Sequence, residues 1–344
     1  MDIKSLPKVS IVIPCRNEEN FIIDCIHSCL NSDYTKTLIE VIVCDGLSTD
    51  NTVGLIKEKF ESDSRVKILI NSKMTTPFAL NLGIKNSYAP YVMILGAHSK
   101  ISSNYIINAI NVLEEKPEIG CAGGLLKNQF SDDVSKAISK AMSSTFGVGS
   151  AHFRTGHKSG FVDTVAFGVY RKNIFDEIGF FDEELTRNQD DEFNFRLLKS
   201  GYKIWLDIDS YADYFVRSSW KKLRTQYFQY GYWKVFVNTK HKIITTLRQL
   251  VPAALVLYLL FTLPVILISY SPLTILYFLF LLVYLLFVFI GSITIKPDSF
   301  LEFINVMRAI FTLHLAYGYG YLLGIVDFII RRKRIASSYN NLSR

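Results

Sequence analysis

The chain has 344 residues, of which 49% are hydrophobic, with a formal net charge of +7 and five cysteines. Its length accommodates one large domain or two small ones, and its polar-to-apolar balance shifts abruptly near residue 245, which argues against a purely soluble protein. Cys15, Cys25, Cys29, Cys44 and Cys121 lack the paired CxxC spacing of a zinc site and fit packing roles in a reduced compartment.

Two strand-like runs open the chain. A strand at Ser10–Pro14 leads through Asn17–Glu19 into a helix over Asn20–Asn31, and a strand at Glu40–Cys44 leads through GLSTD into a helix over Thr52–Phe60. Apolar runs separated by helix-length segments predict a parallel α/β sheet. Strand Val66–Ile70, helix Thr75–Asn86 and strand Tyr91–Leu95 extend it. Ligands of such sheets bind beyond the carboxyl ends of the strands, where Asp45 and Asp50 fall. Asp50 or Asn51 can equally cap the helix that starts at Thr52. A helix over Ser103–Lys116, a Gly-rich strand at Gly120–Leu126, a loop region Phe146–Phe161 and a strand over Thr164–Tyr170 follow. Acidic Asn188–Glu192 then opens a helix that closes near Ser200–Gly201.

The remaining chain reads as membrane-attached. Leu247–Tyr270 and Thr274–Ile295 are almost uncharged, and each can cross a hydrocarbon core of about 30 Å, which takes roughly 20 helical residues. Phe303–Ile330 is long enough but carries Arg308, His314, Asp327 and several glycines, so it reads as a span, a re-entrant piece or an interfacial helix. Positive charge clusters beside these runs, at Lys221, Lys222, Arg224, Lys234, Lys240, Lys242 and Arg248 and in the RRKR string Arg331–Arg334. Beside apolar spans this favours anionic lipid on the cytoplasmic face over nucleic acid. Basic residues on both flanks favour an even number of crossings, hence two spans plus a re-entrant or interfacial third segment. Met1–Lys8 has no apolar leader, so the soluble part is expected in the cytoplasm of a multi-pass membrane protein. The expected division is a soluble domain over 1–218, a basic aromatic interfacial helix over 219–245, membrane segments over 246–330 and a basic tail over 331–344.

VSIVIPCRNEENFI, EVIVCDGLSTDNT, the GAHS element after an apolar strand, and GFFDEEL followed by NQDDEFNFRL occur in an order that resembles family 2 glycosyltransferases of the GT-A fold. GAHS, NQDDE and the aromatic RSSWKKLRTQYFQYGYWK stretch are similar to the succinoglycan glucosyltransferase (ExoA-like) branch. The resemblance implies a mixed α/β sheet flanked by helices, a nucleotide-sugar donor, expected to be a UDP-hexose, and a divalent cation, Mg²⁺ or Mn²⁺. It implies that Pro14, Arg16, Asn17 and Glu18 line the nucleotide pocket and that Asp45 contacts base or ribose. The branch's Asp-Ala-His metal motif here reads Gly96-Ala97-His98, which leaves His98 as the metal ligand or as a structural hydrogen-bonding residue. The family's Glu-Asp pair aligns with Gln189 and Asp190, making Asp190 the general base, with Asp191 beside it in the substrate site. Asp191 and Glu192 add like charge that can raise the proton affinity of Asp190, and the same run can serve as a helix cap. Gln226 belongs to an altered Gln-x-x-Arg-Trp acceptor motif, or to an amphipathic helix at the membrane interface.

The expected function is inverting transfer of a hexose from a nucleotide-sugar to a lipid-linked saccharide, in exopolysaccharide or glycoconjugate synthesis. The alternative is a non-catalytic, membrane-anchored module that binds a sugar nucleotide or a partner, motivated by Gly96 and Gln189.

Overall fold

The computed structural model describes residues 6–216, 218–245, 247–261 and 272–333. The chain folds as two compact units, Met1–Lys127 with His152–Phe215, and Asn128–Ala151 with Val216–Arg344. The strands are β1 (Val9–Cys15), β2 (Ile39–Asp45), β3 (Val66–Ile70), β4 (Tyr91–Ile94), β5 (Ser99–Ile101), β6 (Ile119–Gln129), β7 (Gly160–Val162), β8 (Val169–Arg171) and β9 (Lys203–Phe215). The helices are α1 (Ile22–Leu30), α2 (Thr52–Phe60), α3 (Thr76–Lys85), α4 (Tyr105–Glu115), α5 (Asp133–Met142), the single turns α6 (Thr145–Val148) and α7 (His152–Thr155), α8 (Asn173–Ile178), α9 (Gln189–Lys199), α10 (Trp220–His241), α11 (Leu250–Leu260), α12 (Pro272–Thr294) and α13 (Phe300–Gly324).

The first unit is a mixed sheet in the order β3-β2-β1-β4-β8-β6-β9-β5, with β7 beside β9. Strands β1 to β4 run parallel, and β1 lies between β2 and β4 with Cys15 level with Asp45. β8 is antiparallel to both β4 and β6. Every residue of β1 but Pro14 and every residue of β2 but Glu40 is buried, as expected of central parallel strands covered on both faces. Helix α3 presses onto β1 at Gly83, where a Cβ would lie 2.3 Å from Val12 Cγ1. Only glycine allows that approach. The five cysteines are buried and unbridged.

An aromatic cluster fixes the second half of this unit. Phe193 of α9 packs on Phe175 of α8 and on Phe181, with ring centroids 4.8 and 4.7 Å away. Asn81 of α3 ties in the same FDEEL loop: its Oδ1 accepts from Phe181 N (3.0 Å), and its Nδ2 donates to Phe181 O and Glu183 Oε1 (2.9 Å each). The strand expected over Thr164–Tyr170 is limited to Val169–Arg171, because Phe167 takes a left-handed φ of 54°. Tyr105 Oη holds that bend by donating to the carbonyls of Phe167 (3.0 Å) and Ala166 (3.2 Å).

Of the two cap candidates, Asp50 is the one that bonds. Its Oδ1 accepts from Thr52 N (3.0 Å) and Thr52 Oγ1 (2.5 Å), and its Oδ2 accepts from Glu19 N (3.2 Å). Burial by itself raises the Asp50 carboxyl, but these hydrogen bonds outweigh it and hold the group below its ordinary value. D50A is expected to cost about 1 kcal/mol of stability at pH 7. A depressed carboxyl stabilises the fold above its ordinary value of about 4 and loses that contribution as pH falls through the lower folded value. The gap in thermal unfolding between wild type and D50A should therefore narrow below about pH 4. A gap of equal size at neutral and acid pH would remove the charged cap as its cause.

In the second unit, α10 and α13 pack backbone to backbone. A Cβ on Gly231 would lie 2.0 Å from Tyr317 O, and one on Gly320 would lie 2.1 Å from Phe228 O. Small residues at a helix seam allow this approach. Residues 128–151, contiguous in sequence with the soluble domain, group with these helices, and Lys136 and Lys140 of α5 meet Asp298 (2.6 Å) and Glu302 (2.9 Å). Thr274–Thr294 and Phe300–Ile330 are long and apolar enough to cross a membrane, with mean hydropathy of 2.6 and 1.4. The first expected span is helical over Leu250–Leu260, and its residues 262–270 lie outside the described residues, as do residues 334–344 of the basic tail.

The third apolar segment is one continuous helix: α13 runs on through a π-helical turn, Ile325–Ile330, without a break. Asp327 is accommodated by packing: it is buried, accepts from Tyr232 Oη (3.1 Å) and pairs with Lys333 Nζ (3.0 Å) and Arg331 (3.4 Å). Helix α10 is embedded in this unit, with Gln226, Gln229, Tyr232, Trp233, Lys234 and Asn238 all buried. Its polar and apolar residues are distributed around the helix, so packing engages several faces.

Candidate active site

The loops after β1 and β2 are stitched together at the carboxyl edge of the sheet. Asn17 adopts a left-handed φ of 55°, a conformation asparagine tolerates better than most residues. Its N–H donates to Ser48 Oγ (2.9 Å), and its Oδ1 accepts from Thr49 N (2.8 Å). Glu18 N donates to Thr52 Oγ1 (2.8 Å). Asp45, only 4% exposed, accepts from Ser48 N (3.1 Å) and Ser48 Oγ (2.5 Å). The Arg16 stem runs beside Gly46, where a Cβ would lie 3.5 Å from Arg16 Cβ and Cδ. Pro14, next to the last residue of β1, is partly exposed. The structure thus gathers Pro14, Arg16, Asn17, Glu18 and Asp45 at the carboxyl ends of β1 and β2. Ser48 and Thr49, within GLSTD, are the residues that sequence reasoning missed there.

The loop after β4 adds His98. Its Nδ1 lies 3.8 Å from Glu18 Oε1, and its ring packs against Tyr214, with centroids 5.1 Å apart. Among the described residues no group of three or more His, Cys, Asp and Glu side chains forms a metal cage. One carboxylate oxygen and one imidazole nitrogen still make a two-donor platform that fits a cation taking its other ligands from a diphosphate and water. The missing aspartate has a packing correlate. A Cβ on Gly96 would lie 3.2 Å from Phe167 Cε1, so a carboxylate at that position requires the strained Phe167 to yield.

The three adjacent carboxylates of NQDDE diverge in role. Asp190 is exposed in the first turn of α9, and its Oδ1 accepts from Asp191 N (2.9 Å). Burial pushes the Tyr170 phenol up, and Cys121 and Asp190 add to it. Glu192 is 1% exposed and makes a two-pronged pair with Arg196, Oε1 to Nε at 2.8 Å and Oε2 to Nη2 at 2.9 Å. Arg196 also donates to the carbonyls of Ile178 (2.5 Å), Gly179 (3.2 Å) and Phe180 (2.7 Å). Glu192 thus has its counter-charge in Arg196. Sequence reasoning missed this pair; its i,i+4 spacing was compatible with it without singling it out. Asp191 is half-buried. Gln226 belongs to the second unit, where it is 2% exposed and its Nε2 donates to Tyr230 Oη (2.9 Å).

Residues 10–179 match the family model described as Glycosyl transferase family 2. Over 230 residues, 65% of this chain, the sequence is 34% identical to the dolichyl N-acetyl-alpha-D-glucosaminyl phosphate 3-beta-D-2,3-diacetamido-2,3-dideoxy-beta-D-glucuronosyltransferase of Methanococcus voltae, covering 71% of that protein. The chain belongs to glycosyltransferase family 2. It is a hexosyltransferase, and its family 2 relatives include the succinoglycan biosynthesis protein ExoA of Rhizobium meliloti (strain 1021), 30% identical over 71% of this chain and 74% of ExoA. Its GT-A fold is shared with the mannosyltransferase PcManGT from Pyrobaculum calidifontis, solved with GDP-Man and Mn²⁺, at a TM-score of 0.62 and 13% identity over 91% of this chain and 88% of that one. GalNAc-T7, solved with UDP, GalNAc and Mn²⁺, matches at a TM-score of 0.51 and 16% identity over 67% of this chain and 49% of that one. In this family 2 enzyme the loops after β1, β2 and β4 lie at the carboxyl ends of the strands, where open α/β sheets bind ligands.

Proposed function

We propose that the protein transfers a hexose, with inversion, from a nucleotide-sugar, a UDP-hexose by preference, to a lipid-linked saccharide, while attached to the membrane with its GT-A unit on the cytoplasmic side. The observation that carries the reading is the convergence of Asn17, Glu18, Asp45 and His98 beyond the carboxyl ends of β1, β2 and β4, with Asp190 exposed at the start of α9. Asp45, held by two bonds from Ser48, presents a fixed acceptor to the ribose or base. Pro14, Arg16 and Asn17 form the pocket wall, with the Arg16 guanidinium available to phosphate. Asp190 takes the proton of the acceptor hydroxyl as that oxygen attacks the anomeric carbon opposite the diphosphate. Asp191 and Gln226 are assigned to substrate contacts. His98 and Glu18 would hold a divalent cation, which supplies charge neutralisation on the leaving diphosphate.

The dolichyl-phosphate substrate in the name of the Methanococcus relative and the two long apolar helices support a lipid-borne acceptor. The reading is tested by nucleoside diphosphate release from a panel of nucleotide-sugars, using membranes that contain the protein, with Mn²⁺, Mg²⁺ or chelator and with or without lipid extract. Turnover of one donor that needs both cation and lipid is the expected result. Donor binding without turnover under every condition would instead favour a sugar-nucleotide binding module. D45A should raise the KM for the donor by roughly 10- to 150-fold, in line with the loss of one charged hydrogen bond worth about 1.5–3 kcal/mol. An unchanged KM would remove Asp45 from the nucleotide site.

A further inference from the structure

A groove of about 460 Å³ in the second unit is lined by Arg224 of α10 and by Ile304, Met307, Arg308, Phe311 and Leu315 of α13. Spacings of three and four put the α13 residues on one helix face, so the wall is a single apolar strip interrupted by one guanidinium. Thr312 also lines it, but its hydroxyl already donates to the Arg308 carbonyl (2.7 Å). The Arg308 guanidinium lies 4.4 Å from the Trp220 ring centroid, a cation–π contact that holds the head at the groove. Among the described residues neither Arg224 nor Arg308 forms an ion pair, whereas Lys136 and Lys140 meet Asp298 and Glu302, and Arg331 and Lys333 meet Asp327. An arginine on a helix apolar enough to cross a membrane is costly unless an anion meets it. The guanidinium fork suits phosphate oxygens.

We infer that this groove binds a polyisoprenyl phosphate, with the phosphate held by Arg224 and Arg308 and the isoprenoid chain lying along Met307, Phe311 and Leu315. The inference rests on the lipid-linked acceptor reading and gives that acceptor its lipid class. Charge complementarity and the apolar strip select the ligand together. A nucleotide is a poor fit, because beyond the two guanidiniums and the engaged Thr312 the lining side chains are apolar and offer nothing to a base or ribose. A glycerophospholipid carries two acyl chains, whereas one residue per turn of one helix accommodates a single chain.

The full-length protein in phosphatidylcholine nanodiscs tests this, with undecaprenyl monophosphate, undecaprenol and dioleoylphosphatidylglycerol as probes and native mass spectrometry as the readout. Wild type should retain undecaprenyl monophosphate at least tenfold more tightly than undecaprenol. R224Q/R308Q should abolish that preference, and F311W, which fills the strip without changing charge, should weaken retention of both isoprenoids. Unchanged preference in the double variant would overturn the assignment. Equal retention of dioleoylphosphatidylglycerol, lost equally in the double variant, would also overturn it in favour of a general anionic-lipid contact. Should R308Q fail to fold because Trp220 loses its cation, exposed Arg224 carries the test by the same criterion in R224Q. Retention of undecaprenyl monophosphate without lipid-dependent nucleoside diphosphate release would leave the groove standing and remove the acceptor reading. Lipid-dependent release that survives intact in R224Q/R308Q would do the reverse.

Discussion

D190N is expected to lower turnover by about 10²- to 10⁴-fold while leaving donor affinity within about twofold of wild type, as for loss of a general base. The amide occupies nearly the same space as the carboxylate and still accepts the Asp191 N–H, so the first turn of α9 persists. What it cannot do is take a proton from the acceptor hydroxyl. Donor binding measured calorimetrically, beside nucleoside diphosphate release, separates the two effects. Full turnover in D190N would move the base to another group, and Asp191 is then the residue to replace next. Loss of donor binding together with turnover would make Asp190 a substrate-binding rather than a proton-accepting residue.

E192A is expected to destabilise the first unit by about 3 kcal/mol, at the low end of the cost of breaking a buried ion pair. Glu192 is almost fully enclosed, and its removal leaves the Arg196 guanidinium without its counter-charge. The carbonyls of Ile178, Gly179 and Phe180 retain part of that charge's solvation, which keeps the cost from being higher. For a domain of 150–250 residues this corresponds to a fall of roughly 6–12 °C in Tm. The double variant E192A/R196M, which removes the orphaned charge, should recover part of the loss. Recovery absent from the double variant, or a Tm unchanged in E192A, would show that the pair is not what anchors α9. Asp190 and Glu192 are two residues apart, yet one variant should strike chemistry and the other stability.

The legible parts of the fold were those where a local pattern meets a local cause. Val9–Cys15 and Ile39–Asp45 are apolar throughout because they are covered on both faces, and Thr52–Phe60 begins where Asp50 can receive its N–H groups. Strand β9 was not legible. Asp207, Asp209 and Asp213 interrupt its apolar run, and Asp207 is accommodated there by Asn108 Nδ2 (3.0 Å) and Ser210 Oγ (2.5 Å), partners fixed by the fold. The left-handed turn at Phe167 escaped for a similar reason, because its two holding bonds come from Tyr105, 62 residues away in sequence. The π-helical end of α13 was equally hidden, since Asp327 reads as a polar interruption until Tyr232, Arg331 and Lys333 surround it.

By itself the sequence determined the strand–helix alternation, the family and the long apolar helix over Thr274–Thr294, all of which depend on residue type at short spacing; the other long apolar helix among the described residues, Phe300–Ile330, is the segment that sequence read as re-entrant or interfacial. Only the tertiary structure decided which carboxylate of NQDDE is committed to Arg196, which ring stands against Gly96, and which arginines line an apolar groove. These depend on side chains brought together from distant parts of the chain, where burial and the geometry of a hydrogen bond, rather than spacing along the sequence, set the energy of each contact.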